Sequence, residues 1–184
     1  MNTKIIDGPL QGLKIIEVDY FKDKRGFFIE PWNKKVFKEA GLDIDFVQEG
    51  HSGSEQGVIR GLHSQDAKCP MGKLVRCTVG EVIDVVVDIR HESATFGKYF
   101  PIKLTAKNKK QLYVPPGFAH GFVTVKGYAE LQYKQTGHYA PDHEFGILWN
   151  DPDINIEWPI KDPIISDKDK KGMTLAQYMA DPAF

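Results

Sequence analysis

The stretch "KLVRCTVGEVIDVVVDIR", residues 73–90, decides the fold class because it is dense in valine and isoleucine and interrupted by one glycine. Two strand-length segments that meet at a turn residue are typical of an antiparallel hairpin, so we expect the chain to reverse at Gly80 and Glu81. The second segment lacks the polar alternation of a half-exposed strand, which predicts a strand buried on both faces or nearly so. The stretch therefore indicates a β fold with at least one well-covered strand.

Short segments rich in Val, Ile, Phe and Tyr recur on both sides of this stretch. Glycine and proline turns separate them at roughly the interval expected for an all-β sandwich or barrel. We therefore predict an all-β protein built as an antiparallel double-sheet barrel. The remaining strand candidates cover residues 13–21, 26–32, 44–52, 57–65, 99–106, 110–125 and 129–139.

Helix signals are few. Residues 33–41 combine an N-cap candidate, Asn33, with a C-terminal glycine, and a short C-terminal helix is expected to begin after Thr174. Prolines and Asp/Asn pairs predict an irregular, packed segment between residues 141 and 168. We find no repeat or low-complexity linker, so we predict one domain over residues 1–184, in which residues 141–184 form an irregular and helical extension.

The overall composition excludes several classes of protein. A net charge of −1 gives no field that would draw the chain to nucleic acid or to a membrane surface. No apolar run is long enough to cross a bilayer, and the N-terminal residues lack a signal-peptide pattern. The spacing of Cys69 and Cys77 fits neither a zinc site nor a disulfide framework, so we expect reduced thiols in the cytoplasm.

Two histidines stand in motifs that resemble those of the cupin jelly roll. His63 ends "GVIRGLH" and His120 ends "PPGFAH". In metal-binding cupins a second histidine follows two positions after the first, with a glutamate a few residues later. Here Gln65 holds that position and no glutamate follows in reach. A transition metal prefers three or four histidine or carboxylate ligands, so we expect the barrel without a metal.

Polar residues inside the strand candidates suggest acid–base chemistry instead. Alternation puts His63, Lys73, Tyr133 and His120 each on a strand face shared with small or apolar residues. An imidazole can take a proton next to a carbonyl group, an ammonium can stabilise the resulting oxyanion, and a phenol can return a proton. Taken singly, each residue is more often a packed or hydrogen-bonded core residue. Arg60 has the opposite parity to His63 and would point away from it unless a bulge intervenes.

Several long motifs in order over nearly the whole chain resemble the dTDP-4-dehydrorhamnose 3,5-epimerase family of deoxysugar biosynthesis. The resemblance implies a homodimeric jelly-roll cupin that acts without a cofactor on a dTDP-linked 4-keto-6-deoxyhexose. The chain also lacks the Gly-x-Gly-x-x-Gly fingerprint of a nicotinamide site. The motifs are "DKRGFFIEPWN", "FVQEGHSGSEQGVIRGLH", "GKLVRCTVGEVIDVVVDIR", "QLYVPPGFAHGF", "YKQTGHYAPDHEFGILWNDPDINIEWP" and "ISDKDK".

The resemblance also implies roles for individual residues. His63 is similar in position to the family's general base and Tyr133 to its general acid. Asp169 is similar to the residue that orients the histidine, and Lys73 to the group that faces the C4 oxygen of the sugar. The implied binding residues for the nucleotide sugar are Arg25, Glu30, Gln48, Arg60, His120, Glu144 and Lys168.

Three positions depart from the family pattern. Gly50 replaces the asparagine of "QDNHS", Ser64 replaces an aromatic residue after the histidine, and His138 stands where a tyrosine is common. The main hypothesis is inversion of both C3 and C5 of the sugar. The alternatives are inversion of one centre only, ketoisomerisation of a related nucleotide sugar, and a cupin that binds sugar without catalysis or binds a metal.

Overall fold

A computed structural model describes residues 2–184 and places thirteen strands and two short α-helices within them. The helices are α1 (Lys34–Glu39) and α2 (Leu175–Tyr178). The strands are β1 (Thr3–Asp7), β2 (Lys14–Val18), β3 (Phe21–Asp23), β4 (Gly26–Phe28), β5 (Gln48–Ser54), β6 (Ile59–Gln65), β7 (Lys73–Val79), β8 (Glu81–Asp88), β9 (Tyr99–Thr105), β10 (Gln111–Val114), β11 (Phe118–Thr124), β12 (Ala129–Gln135) and β13 (Glu144–Gly146).

Two antiparallel sheets face each other. One has six strands in the order β1-β2-β10-β7-β12-β5, and the other has five in the order β13-β6-β11-β8-β9. Val75 and Leu131 of the first sheet meet Val86 and Phe122 of the second in one apolar core. This arrangement confirms the predicted all-β, antiparallel double-sheet barrel of the jelly-roll type.

The predicted hairpin at Gly80 and Glu81 is wrong. β7 pairs with β10 and β12, whereas β8 pairs with β9 and β11, so the chain passes from one sheet to the other at this point. Gly80 has a φ of 69°, and a β-carbon there would lie 2.2 Å from the carbonyl oxygen of Tyr128. Only glycine fits so tight a corner. The local turn signal was correct, but neighbouring strands in the sequence need not be neighbours in a sheet.

β8 is buried on both faces, as its composition predicts. Val86 faces the barrel core, while Val85 and Val87 face a second core on the outer side of the five-stranded sheet. The chain beyond β12 covers that side with Ile147 and Tyr178. The C-terminal extension therefore packs directly behind the five-stranded sheet, which contains β6 and His63.

The two predicted helices are confirmed. Asn33 caps α1, since its side chain accepts a hydrogen bond from the backbone N–H of Val36, and Phe37 of this helix packs on the outer face of the six-stranded sheet. Thr174 caps α2 in a reciprocal capping box with Gln177. Both helices cover the outer faces of the sheets and leave the space between the sheets to side chains of the strands. None of the helices in residues 2–184 has the length and apolar character needed to cross a membrane.

The strands β3 and β4 form a separate hairpin with aromatic residues exposed to solvent. Phe21, Phe27 and Phe28 are 67%, 59% and 64% exposed. Clustered apolar exposure of this kind is uncommon on the surface of a monomeric protein. β1, which sequence reasoning missed because "TKIID" is short and partly polar, lies at the edge of the six-stranded sheet.

Candidate active site

A cavity of about 310 Å³ opens between the two sheets. Strands β5, β7 and β12 supply one wall, and strands β6 and β11 supply the other. The volume lies at the lower end of the range for small-molecule sites. Seven of the predicted site residues line this cavity: Gln48, Arg60, His63, Lys73, His120, Tyr133 and Glu144.

His63 and Asp169 form a close pair at one wall of the cavity. His63 Nε2 lies 2.6 Å from Asp169 Oδ1, and the backbone N–H of Gly61 donates to Asp169 Oδ2 at 3.3 Å. Burial alone would raise the pKa of Asp169, but the hydrogen bonds from His63 and Gly61 hold that pKa below its usual value. The carboxylate therefore stays ionised, orients the imidazole through Nε2 and leaves Nδ1 for the cavity.

Lys73 enters the cavity from β7. Within residues 2–184 its ammonium group makes no hydrogen bond or ion pair, although it is enclosed by the barrel. Burial lowers the pKa of Lys73 to about 8, and the more distant charges of Glu144 and Asp84 oppose that shift only in part. An unpaired, poorly hydrated ammonium of this kind attracts an oxygen that carries developing negative charge.

Tyr133 and His63 stand on opposite walls. Tyr133 belongs to β12 of the six-stranded sheet, and His63 belongs to β6 of the five-stranded sheet. The phenol hydroxyl makes no hydrogen bond to any other part of residues 2–184, and it faces the shared cavity. A flat ligand between the sheets would have the imidazole on one side and the phenol on the other.

Arg60 lines the same cavity as His63, which strict alternation along β6 does not allow. The β6–β11 pairing shifts register between His120 and Phe122, so a bulge intervenes, and Leu62 turns into the outer core instead. Arg60 Nε donates to Ser54 Oγ at 3.0 Å. The bulge thus brings a guanidinium group and an imidazole from one strand into one space.

His120 has a carboxylate partner that sequence reasoning missed. His120 Nε2 lies 2.9 Å from Asp84 Oδ2, and Asp84 is completely buried in β8. The available signal was Asp84, the one carboxylate within the apolar run "VIDVVV" (residues 82–87), because a lone aspartate is rarely buried without a partner. The pair fixes the ring of His120 at the cavity wall.

Glu144 connects the cavity to its rim. The Tyr139 hydroxyl donates to Glu144 Oε2 at 2.8 Å, and Lys168 forms an ion pair with the same carboxylate. Burial would raise the pKa of Glu144, yet these two partners hold it below its usual value. Lys168 therefore reaches the site through Glu144 rather than by lining the cavity itself.

Gln65 stands at a ligand position of metal-binding cupins. Its side-chain amide is hydrogen-bonded to backbone groups at the rim of the cavity. Its Nε2 donates to the carbonyl groups of Cys69 and His138, and its Oε1 accepts from the backbone N–H of Ala140. In the part of the chain described, no three His, Cys, Asp or Glu side chains come together in a way that would hold a metal ion. Independence from metal stays a prediction, which chelation tests below.

Two predicted binding residues lie outside the cavity of this chain. Arg25 sits on the exposed β3–β4 hairpin, where its side chain is 85% exposed and bonds Asp23 at 2.6 Å. Glu30 accepts a hydrogen bond from Asn33 Nδ2 at 3.0 Å. Of the three departures from the family pattern, Gly50 and Ser64 line the cavity, whereas His138 does not.

Comparison with known proteins gives consistent matches. The family described as dTDP-4-dehydrorhamnose 3,5-epimerase matches residues 7–177, a range that includes every residue lining the cavity. The dTDP-4-dehydrorhamnose 3,5-epimerase of Shigella flexneri is 52% identical over 169 residues, 91% of this chain and 93% of that protein. The crystal structure of the enzyme of that name from Elizabethkingia anophelis superposes with a TM-score of 0.89 at 42% identity, covering 100% of both chains. The dTDP-6-deoxy-D-glucose-3,5-epimerase of Legionella pneumophila, solved in complex with dTDP-4-keto-L-rhamnose, gives a TM-score of 0.90 at 41% identity, over 95% of this chain and 94% of that one.

Proposed function

The chain belongs to the dTDP-4-dehydrorhamnose 3,5-epimerase family, and from that premise we propose that it is an isomerase that inverts C3 and C5 of dTDP-4-dehydro-6-deoxy-D-glucose. The product is dTDP-4-dehydro-L-rhamnose. The single observation that supports this proposal most strongly is the grouping of an imidazole, a phenol and an unpaired ammonium around one cavity. These are the groups that proton exchange next to a ketone requires.

The proposed mechanism starts from the ketone at C4. This group makes the hydrogens on C3 and C5 acidic, so His63 can remove one of them, and the electron pair moves onto the C4 oxygen. Lys73 stabilises that oxyanion, and Tyr133 delivers a proton to the carbon from the opposite face, which inverts it. Asp169 stabilises the imidazolium formed in the first step, as a carboxylate does in other acid–base pairs. Solvent then resets both side chains before the second centre reacts.

The nucleotide diphosphate is proposed to bind toward Arg60, because a guanidinium fork can bind two phosphate oxygens at once. His120, Gln48 and Glu144 are proposed to position the rest of the nucleotide sugar, with Lys168 acting through its ion pair with Glu144. The whole chain is proposed to act as one unit, because Asp169 of the C-terminal extension completes the pair with His63. The cytoplasm is the proposed compartment, and the two free cysteines are consistent with it.

Incubation with the dTDP-4-keto-6-deoxyglucose substrate in D₂O tests this function. We expect deuterium at both C3 and C5, measured separately by proton NMR, because each inversion exchanges a carbon-bound hydrogen with solvent. A chelator should leave both rates unchanged.

Each rival function predicts a different result in the same experiment. Uptake at one centre only would support a mono-epimerase. A product in which the carbonyl group has moved would support a ketoisomerase. Loss of uptake in chelator would support a metallocupin, and nucleotide binding without any uptake would support a non-catalytic binding protein.

We further propose that the enzyme is a homodimer whose site is completed by its partner. The exposed aromatic side chains of Phe21, Phe27 and Phe28 form a surface that a second copy could cover. Arg25 sits on that same hairpin, outside its own cavity, with its guanidinium group largely exposed. Docking of the hairpin on a second copy would carry Arg25, and Glu30 shortly after it, toward the partner's nucleotide site.

Co-expression of two differently tagged variants tests this arrangement. Arg25→Ala and His63→Ala homodimers should each be nearly inactive, whereas the purified mixture should recover about a quarter of the wild-type activity, because half the dimers then contain one intact site. Lys24→Ala, an equally exposed change on the same hairpin, is the matched control and should retain activity. A monomer by light scattering, or a mixture that stays inactive, would contradict the proposal.

A further inference from the structure

Gly50 lies directly beneath the ring of Tyr133. The two residues are opposite each other in the antiparallel pair of β5 and β12. A β-carbon built on Gly50 would lie 2.4 Å from Cε2, 2.7 Å from Cζ and 3.0 Å from the hydroxyl oxygen of Tyr133. The phenol therefore lies against Gly50, in space that the β-carbon of any other residue type would fill.

The ring, and not the backbone, is what excludes a side chain here. Gly50 does not have the positive φ that favours glycine, in contrast to Gly80 at the sheet corner. An alanine at position 50 could therefore keep the extended strand conformation, but the ring of Tyr133 would have to move. Both residues line the cavity, so the open space into which the ring can move is the cavity itself.

We propose that Gly50 is a positioning residue for Tyr133. Its missing side chain lets the phenol rest against the wall formed by β5, and so sets how far the hydroxyl reaches into the space that faces His63. This inference rests on the proposed function, in which Tyr133 returns the proton.

The position of the hydroxyl matters because proton transfer needs hydrogen-bond distance to the carbon that is protonated. A displacement of about 1 Å can cost roughly a hundredfold in rate. The carbons C3 and C5 lie on opposite sides of the ketone, so a hydroxyl that shifts toward one of them changes its distance to the two carbons unequally. Gly50 therefore affects the ratio of proton delivery at the two centres, not only the overall rate.

A purely structural role for the same contact makes a different prediction. β5 is an edge strand, and an aromatic side chain that covers a glycine on a neighbouring strand stabilises such an edge. In that case Gly50→Ala would lower stability but leave the C3:C5 ratio of deuterium uptake unchanged. The two roles are therefore separable by measuring both quantities on the same variants.

The experiment compares Gly50→Ala in the wild-type background and in Tyr133→Phe. We expect Gly50→Ala to change the C3:C5 uptake ratio by roughly tenfold to a hundredfold. The change should disappear in Tyr133→Phe, which keeps the ring but has no proton to deliver. An unchanged ratio, or an equal change in both backgrounds, would overturn the proposal.

Gly53→Ala is the matched control. Gly53 lies in the same edge strand, and a β-carbon there would lie 2.0 Å from the hydroxyl oxygen of Tyr128, but neither of these residues lines the cavity. The control should disturb a similar glycine–tyrosine contact and leave the C3:C5 ratio unchanged. A ratio that shifts as far as in Gly50→Ala would overturn the specific role of Gly50.

Crystal structures of the wild type and Gly50→Ala decide the placement without any assay. We expect the Tyr133 hydroxyl to move by about 1 Å or more into the cavity, and a ring that stays in place would overturn the proposal. Wild-type protein with no uptake at either centre would instead reject the proposed function and leave this crystallographic comparison valid. If Gly50→Ala does not fold, Gly50→Ala/Tyr133→Ala should fold, because no ring remains to clash, and its failure would contradict the contact.

Discussion

Replacing His63 with alanine is expected to lower deuterium uptake at C3 and C5 by roughly 10²- to 10⁴-fold while the protein stays folded. His63 is the imidazole whose Nε2 is held by Asp169 and whose Nδ1 is left for the cavity. Without it, the group proposed to remove the carbon-bound hydrogen is missing, and the other imidazole on that wall, His120, is held at its Nε2 by Asp84. The measurement is the NMR uptake rate, with circular dichroism as the check on folding.

Asp169→Asn should act in the same direction with a smaller effect. The amide can keep the approximate position of the ring, but it cannot stabilise the imidazolium or enforce the tautomer that leaves Nδ1 unprotonated. Added imidazole is expected to restore part of the activity of His63→Ala, because the truncation leaves space in the cavity, and it should not rescue Asp169→Asn.

His51→Ala provides the matched control for these variants. His51 also pairs with a carboxylate, 3.0 Å from Glu130, but it lies outside the cavity. Its removal should leave the uptake rates at the wild-type value. Unchanged uptake in His63→Ala, or an equal loss in His51→Ala, would remove His63 from the mechanism.

Lys73→Met is expected to lower kcat/KM by on the order of 10²- to 10³-fold, because the oxyanion at C4 would then form in a cavity without its counter-charge. Methionine is similar in length and carries no charge that must be buried. The variant should therefore be at least as stable as the wild type, since Lys73 has no hydrogen bond or ion pair within residues 2–184 to lose. Loss of activity with an unchanged or higher Tm would separate the chemical role of Lys73 from a structural one.

The burial of Lys73 also predicts how kcat/KM depends on pH. The pKa of Lys73 is lowered to about 8, so its ammonium is charged below that pH and loses its proton above it. We expect kcat/KM to fall above about pH 8, because kcat/KM reports the ionisation of the free enzyme. Lys73→Arg should retain less activity at neutral pH but remove this alkaline decline, since a guanidinium stays charged throughout. The same decline in Lys73→Arg would assign it to another group.

The architecture explains why these groups can cooperate. A jelly roll has two walls, and alternation along each strand turns every second side chain toward the space between them. His63 projects from one wall, and Lys73 and Tyr133 project from the other. Inversion of a carbon needs proton removal and delivery on opposite faces, so two facing sheets supply the geometry directly.

Much of the fold and of the candidate site could be predicted from the sequence alone. The dense β pattern, the two capped helices at Asn33 and Thr174, and the alternation that turns His63, Lys73 and Tyr133 inward depend on local rules of strand and helix chemistry. Such rules act over a few residues, so they can be applied to the sequence without knowing what the segments pack against. The family motifs added the proposed role of each residue.

Other features were decided only by tertiary structure, because they depend on contacts between segments far apart in the chain. Gly80 joins two sheets rather than two paired strands, and a bulge in β6 turns Arg60 into the cavity against its parity. The burial of Asp84 beside His120 and the contact of the Tyr133 ring with Gly50 are likewise set by strand pairing and sheet packing. Local sequence specifies which way a side chain points along its own strand, whereas pairing and packing determine what it meets there.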